Sequence, residues 1–275
     1  MNFHEPNPTS TEYLPAGLND APEFVQYYLR ASLTPEAIAR FGRVKKKTVA
    51  LWSKFNPGRE RPESVCDVGC GAGTQVLMWA RDGYCAAGVD ISPPLVSAAT
   101  RRAAAEGVEA SFSTGSATRL PLRDGTFDVV LLAELLEHVA DWQAVLREAD
   151  RILRPGGVLY LSTANRLCPV QQEFDLPGYS WYPGWLKARL LVKARTTHRH
   201  WVSYADFPAV NWFSFFDLQR HLDALGYESF DRFDMLDEPG AAARFVRSVA
   251  TAATATRWLG HVCTPGLAMF AVRSR

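Results

Sequence analysis

Residues 64–73 contain an apolar run ending in Asp67-Val68-Gly69-Cys70-Gly71-Ala72-Gly73, with glycines at alternate positions. Such glycines admit the positive backbone angles of a tight turn and let a ligand approach bare main chain. A helix starting at Thr74 would add unpaired N–H groups suited to an anionic or polar ligand end. The spacing is GxGxG with an acid two residues before the first glycine, not the GxGxxG of dinucleotide-binding loops. A second acid closes the next apolar run in Gly88-Val89-Asp90-Ile91-Ser92. There a carboxylate can accept both hydroxyls of a ribose, while Ser92 is free to cap the following helix.

A second constellation is Ala133-Glu134-Leu135-Leu136-Glu137-His138-Val139. Glu134, Glu137 and His138 stand at i, i+3 and i+4, so a helical turn would set all three on one side. Two carboxylates and an imidazole form a donor set for a divalent cation such as Mg²⁺ or Zn²⁺. A fourth ligand would come from Thr196-Thr197-His198-Arg199-His200. Without a metal, His138, His198 or His200 can serve as a general base, an unperturbed imidazole having a pKa of ~6.5.

These groups need a frame, and hydrophobic periodicity predicts one. Strand-like runs at 64–68, 86–89, 108–113, 127–132 and 158–162 alternate with helical stretches, among them 93–106 and 142–153. Alternation at this spacing means βαβ units and a parallel sheet with helices on both faces. Gly156-Gly157 after Arg154-Pro155 predicts that one helix stops there and turns into the next strand. Upstream, helices are expected at 23–33 and 35–55, the second opened by Thr34-Pro35 after a Pro-rich lead-in over 1–22. Downstream, an insertion over 166–210 is followed by a helix at 214–225, a strand at 227–233, a helix near 240–258 and a strand at 267–272. The expected organisation is an N-terminal helical cap, 1–60, and a main domain, 61–275.

Composition narrows the classes. The chain has 275 residues, 47% hydrophobic, with 30 Lys+Arg against 29 Asp+Glu. A net charge of +1 argues against bulk electrostatic binding to nucleic acid, and 12% aromatic residues exclude a mostly disordered chain. Five scattered cysteines without a CxxC pair suggest neither a disulfide framework nor a structural zinc site. No apolar run approaches the ~20 residues that span a bilayer, and the polar N-terminus does not read as a secretory signal. A cytoplasmic protein is expected.

Taken in order, the 67–73 loop, Asp90, Gly115-Ser116-Ala117 before Leu120-Pro121, Phe127-Asp128-Val129-Val130 and Arg154-Pro155-Gly156-Gly157 resemble the successive motifs of class I S-adenosylmethionine-dependent methyltransferases. The resemblance covers about residues 60–165. It implies an α/β Rossmann-like, seven-stranded, mostly parallel sheet whose last strand, 267–272, is antiparallel. It also implies S-adenosylmethionine held against Asp67, Gly69, Cys70, Gly71, Gly73 and Ala133, with the glycines along its methionine and ribose part. By position Asp90 would hold the ribose, Ile91 would flank the adenine, and Ser116 and Ala117 would meet its edge; the family commonly has Asp where Ser116 stands. Arg43, Lys46 or Lys47 on the preceding helix would meet the cofactor's carboxylate.

The Glu-x-x-Glu-His run, with Ser162-Thr163-Ala164-Asn165-Arg166 and Thr197-His198, more narrowly resembles the ubiquinone-biosynthesis O-methyltransferases. Its carboxylate–histidine part also resembles small-RNA 2′-O-methyltransferases. That likeness implies Glu134, Glu137, His138 and His198 as metal ligands. The chain departs from the pattern in an extra stretch at 201–213. The Glu–His pair is also widespread in the superfamily without metal, the acid beside the cofactor and the histidine structural.

The insertion is expected to lie over the active site as a lid. Its 176–205 segment carries five Lys/Arg, no acid and three Trp, which suits an apolar substrate and also peripheral contact with a membrane. The expected function is methyl transfer to a small-molecule or lipid-like acceptor at a hydroxyl oxygen. Alternatives are metal-free N- or C-methylation of a natural-product or glycan intermediate, and metal-dependent RNA 2′-O-methylation, which the charge balance disfavours.

Overall fold

The computed structural model describes residues 22–170, 174–201, 209–235, 248 and 254–274. Two helices lead, α1 (Pro22–Ser32) and α2 (Pro35–Phe55). The Thr34 hydroxyl caps α2 by accepting the Ala37 N–H at 3.2 Å, with Pro35 in the first turn. Alternating elements follow: β1 (Ser64–Val68), α3 (Thr74–Arg81), β2 (Cys85–Asp90), α4 (Pro93–Glu106), β3 (Ala110–Thr114), β4 (Phe127–Ala133), α5 (Trp142–Ile152) and β5 (Leu153–Ala164). After the insertion, which carries α6 (Gly184–Thr196), come α7 (Phe215–Ala224), β6 (Tyr227–Asp231), α8 (Thr254–Val262) and β7 (Gly266–Arg273). Much of the helix expected near 240–258 lies outside the described residues.

The strands form one seven-stranded sheet in the order β3-β2-β1-β4-β5-β7-β6, parallel except that β7 runs antiparallel to both neighbours. Its central strands are buried along their length, as two covered faces require. On one face Leu146 and Ile152 of α5 and Leu218 and Leu222 of α7 pack on Val130, Leu132 and Leu159. On the other, Leu51 and Trp52 of α2 and Val76 and Trp79 of α3 meet Val129, Leu131 and Tyr160. The strand order reverses between β1 and β4, and the crevice beyond their carboxyl ends is where such sheets bind ligands.

One expectation fails here. Gly156 and Gly157 do not turn the chain; α5 ends at Ile152 and β5 begins at Leu153, running through both glycines with a register shift opposite Phe127 and Val129. Gly156 takes φ 76°, and a Cβ on Gly157 would lie 2.8 Å from the Arg154 carbonyl, so the glycines serve an irregularity within the strand.

The opposite end of the sheet is clamped by Asp128, whose side chain is 1% exposed. Its carboxylate accepts the Glu63 and Ser64 N–H groups at 2.9 and 3.1 Å and pairs with Arg154 at 3.0 Å. Burial raises its pKa, but the Glu63 N–H, Arg154 and the Ser64 N–H together hold it below the ordinary aspartate value. This stabilisation is therefore present above the unfolded-state pKa and is lost as pH falls through the folded one. Asp128→Ala is expected to destabilise the protein by about 3 kcal/mol, read from urea denaturation at pH 7, because the Glu63 and Ser64 N–H groups lose their acceptor and Arg154 its partner. The deficit should shrink below pH 4.

Candidate functional site

The alternate glycines do three different jobs. Gly69, Gly71 and Gly73 all have positive φ, at 78°, 53° and 76°. Gly69 is pressed by Leu135, whose Cδ1 would be 3.0 Å from an added Cβ. Gly71 leaves its main chain open to the crevice, and its N–H donates to Asp90 Oδ2 at 2.8 Å. Gly73 opens α3, and an added Cβ there would sit 2.8 Å from both Ala99 and Phe112. It thus allows α3 to approach α4 and β3, not a ligand. Asp90 ties the loop to the next helix, its other oxygen accepting the Ser92 N–H at 2.9 Å while the Ser92 hydroxyl caps α4.

A cavity of about 410 Å³ opens at the β1–β4 switch point. Asp67, Gly69, Cys70, Gly71 and Ala133 line it, joined by Glu134 and His138 from the end of β4. Gly73 does not. Ser116 stands beside Asp90 at the sheet edge, where the Gly115 N–H donates to the Asp90 carbonyl at 2.9 Å. The Ser116 hydroxyl pairs with Thr118, Ala117 packs against the core, and Ile91 is 54% exposed.

The cavity's other wall comes from α1 and α2 through Tyr27, Tyr28, Ser32, Arg40 and Phe41. The Ser32 hydroxyl meets that of Thr74 at 2.9 Å, joining the end of α1 to the start of α3. Arg40, not Arg43, Lys46 or Lys47, is the cation of α2 that lines the cavity. α2 carries six basic residues, Arg40, Arg43, Lys45, Lys46, Lys47 and Lys54, and only the docking angle selects among them.

The acidic–histidine run is not a helical turn on one side. Glu134 lies before a single 3₁₀ turn, Leu136–His138, with φ 52°, a conformation that L-residues other than Asn or Asp rarely adopt. Its N–H is held by the Ser162 carbonyl at 2.9 Å. This break turns Glu134 and His138 to the cavity and Glu137 to the interior. Glu137 is fully buried, accepts the Thr163 hydroxyl at 2.8 Å, and its carbonyl takes the Val210 and Asn211 N–H groups. The Asn211 amide then binds the Leu136 and Val139 carbonyls, a buttress that no motif signalled.

His198 lies in the insertion, its Nδ1 2.7 Å from the Thr197 hydroxyl and its ring 4.2 Å from Trp201; His200 is exposed nearby. Among the described residues no three His, Cys, Asp or Glu side chains gather closely enough to hold a metal ion. The set Glu134, Glu137, His138 and His198 is therefore not assembled. Glu137 is spent inside the fold on Thr163, and His198 belongs to an aromatic packing unit of the insertion, none of whose described residues lines the cavity.

Electrostatics mark the cavity's floor. Burial pushes Asp67 up to about 7, Gln75 pulling the other way and Asp90 adding to the rise. Burial likewise raises Asp90, opposed by the Ser92, Gly71 and Ile91 N–H groups. Between the unfolded aspartate value and about 7 the folded protein keeps a proton on Asp67 that the unfolded chain releases. Stability of the ligand-free protein is thus expected to fall as pH rises through that window. A cationic ligand favours the ionised form, so its affinity should rise with pH up to about 7 and then level off, by at most about tenfold per unit. Calorimetric titration with S-adenosylhomocysteine, whose ammonium supplies the charge, checks the sign.

Residues 66–161 match the model of the methyltransferase domain family. The chain is 35% identical over 188 residues to a ubiquinone biosynthesis O-methyltransferase of Parvibaculum lavamentivorans, the match taking in 57% of this chain and 72% of the relative. The chain belongs to the class I S-adenosylmethionine-dependent methyltransferases. The counterpart from Maricaulis maris is 32% identical over 202 residues, 62% of this methyltransferase and 74% of that one. Norajmaline N-methyltransferase of Rauvolfia serpentina is 40% identical over 116 residues, 41% of this chain, but the match spans only 40% of that enzyme's length. The fold is shared with a solved S-adenosylmethionine-dependent methyltransferase of Methanosarcina mazei, at 19% identity and TM-score 0.50, over 80% of this chain and 95% of that one.

The methyltransferase's cavity fits the family's cofactor on its own chemistry. Bare glycine backbone lines one wall, Asp67 and Glu134 suit the cationic sulfonium and ammonium, and Arg40 suits the carboxylate. Asp90 stands one hydrogen bond from that wall.

Proposed function

We propose that this methyltransferase acts on a small-molecule or lipid-like acceptor at a hydroxyl oxygen. The observation that carries the reading is His138, an imidazole brought by the break at Glu134 into the same cavity as the glycine loop. In this reading Asp90 holds the ribose hydroxyls, Ser116, Ala117 and Ile91 lie along the adenine, Arg40 takes the carboxylate, and Asp67 and Glu134 stabilise the cationic end.

When bound, the cofactor would supply a methyl group on a sulfonium, its sulfur leaving as a neutral thioether. The chain's part is alignment, exclusion of water and removal of one proton. His138 receives the hydroxyl proton as the O–C bond forms and the C–S bond breaks, and returns it to solvent after release. Tyr27, Tyr28 and Phe41 cover the cavity from the N-terminal side. No step needs a metal bridge between Glu137 and His198.

Names of the relatives support hydroxyl acceptors, the ubiquinone-biosynthesis enzymes being O-methyltransferases. The similarity to norajmaline N-methyltransferase favours a second reading, an amine acceptor. Incubation with methyl-labelled cofactor and paired phenol, catechol and amine acceptors separates them: label in an ether supports the first, label only in amines replaces it.

In this reading the enzyme is cytoplasmic and touches lipid through the insertion. The insertion has its own small core, with Phe174 stacked on Tyr179 at 3.8 Å and Lys187 Nζ 4.0 Å above Trp212. Outside that core Trp181, Trp185 and Val192 are 59, 62 and 63% exposed beside Arg189 and Lys193. No helix among the described residues is long and apolar enough to cross a membrane. Flotation with anionic vesicles, lost on Trp181→Ser with Trp185→Ser and absent with zwitterionic vesicles, is the expected result.

A further inference from the structure

We infer that Gln75 is a positioning residue whose amide turns onto the Asp67 carboxylate as the cofactor's cationic end arrives and holds that carboxylate in place. The inference rests on the cofactor reading above and concerns a residue with no part in the motifs.

Two observations carry it. Gln75 sits on the first turn of α3, 4% exposed, in the wall of the cavity beside Asp67. Both atoms of its amide are sealed from solvent, and among the described residues neither meets a partner in hydrogen-bond geometry. A buried amide in that state is a standing cost to the ligand-free protein, one that a leucine of similar size would not carry. The amide stands close enough to Asp67 to act on it as a donor, opposing the rise in pKa that burial imposes there, but short of the geometry of a made hydrogen bond.

Other groups around Asp67 cannot take this part. Asp90 on β2 repels its charge, and the Cys66 and Cys70 thiols beside it are kept protonated by burial, with the Asp67 charge adding to that effect. Glu134 at the end of β4 is a further acid, His138 lines the cavity from the 3₁₀ turn, and Arg40 reaches in from the solvent-exposed side of α2. Among these neighbours the Gln75 amide is a neutral donor, buried in the cavity wall. Once Asp67 is ionised opposite a ligand cation, one N–H of Gln75 has the acceptor it lacks.

The test is calorimetric titration of the full chain with S-adenosylhomocysteine from pH 5.5 to 8.5, with thermal melting of each ligand-free protein. For Gln75→Leu, one unit of displaced ionisation makes the expected affinity about tenfold lower at pH 5.5 and about fivefold lower at pH 7. The gap should close to well under about twofold by pH 8.5, where Asp67 ionises unaided. The ligand-free variant should melt no lower than wild type, since the unsatisfied amide is gone. Gln75→Met, equally unable to donate and more easily accommodated, should behave alike and serves if the leucine variant does not fold. Unchanged affinity, a loss equal at every pH, or a lowered melting temperature in both variants would overturn the inference in favour of a packing role. If wild type itself binds no S-adenosylhomocysteine at any pH, the cofactor reading fails and the inference falls with it.

Discussion

Replacing His138 by glutamine is expected to lower the methyl-transfer rate at pH 7 by about 10²–10⁴-fold, the usual worth of a positioned general base. Affinity for S-adenosylhomocysteine should stay within about threefold, because the loop that carries His138 is held from behind. Glu137 anchors to Thr163, and Asn211 binds the carbonyls on either side of the turn, so the backbone stays in place without the imidazole. Glutamine keeps the side chain's polarity and much of its volume. The deficit should narrow as pH rises toward the acceptor's own pKa, where the hydroxyl needs no base. Initial rates with a labelled methyl group at several pH values measure both features. A loss under tenfold, or one that ignores pH, would remove His138 from proton transfer.

The second large effect is expected at Asp90. Its two oxygens accept the Gly71 and Ser92 N–H groups, so one carboxylate shapes the glycine loop and starts α4. Asp90→Ala removes both bonds as well as the acceptor assigned to the ribose hydroxyls. At about 1.5–3 kcal/mol for a hydrogen bond to a charged group, the loss for the loop and ribose contacts together reaches about 10²–10⁴-fold in cofactor affinity. Asp90→Asn keeps one acceptor oxygen but sets an NH₂ against a backbone donor, and should fall between. Calorimetry on the three proteins gives the order; equal affinities for Asp90→Ala and wild type would move the ribose site elsewhere.

The parts of the site legible in the sequence are those built from neighbouring residues. Glycine at 69, 71 and 73 permits the positive φ that each position takes, and Asp90 followed by Ser92 marks both the end of β2 and the cap of α4. Even there, sequence could not separate Gly71, open to the cavity, from Gly73, closed by Ala99 and Phe112, because the difference lies in what packs above each one. The i, i+3, i+4 spacing of Glu134, Glu137 and His138 misled for a related reason. That spacing puts the three on one side only in a regular helix, whereas the positive φ at Glu134 and the partners Thr163 and Asn211 send one acid inward. Gly156 and Gly157 suggest a turn because glycines punctuate chains, yet β5 runs through them as an irregularity, its pairing with β4 shifting register between Leu153 and Val158.

Periodicity and loop composition by themselves determined the alternating βαβ frame, the ligand loop at its first crossover and the parallel sheet that must bury both faces. These depend on backbone angles and on side-chain spacing within a few residues, which the chain carries wherever it folds. The identity of the cavity's second wall was decided by tertiary structure alone. Tyr27, Tyr28 and Arg40 reach the glycine loop because α2 lies on the sheet through Leu51 and Trp52 while α1 packs over Ala72 and Leu95. The unsatisfied amide of Gln75 belongs to the same class, since only the burial of α3 against that wall strips it of water. Contacts between segments far apart in the chain leave no local signature, and in this enzyme they choose which of several equivalent cations, acids and amides meets the ligand.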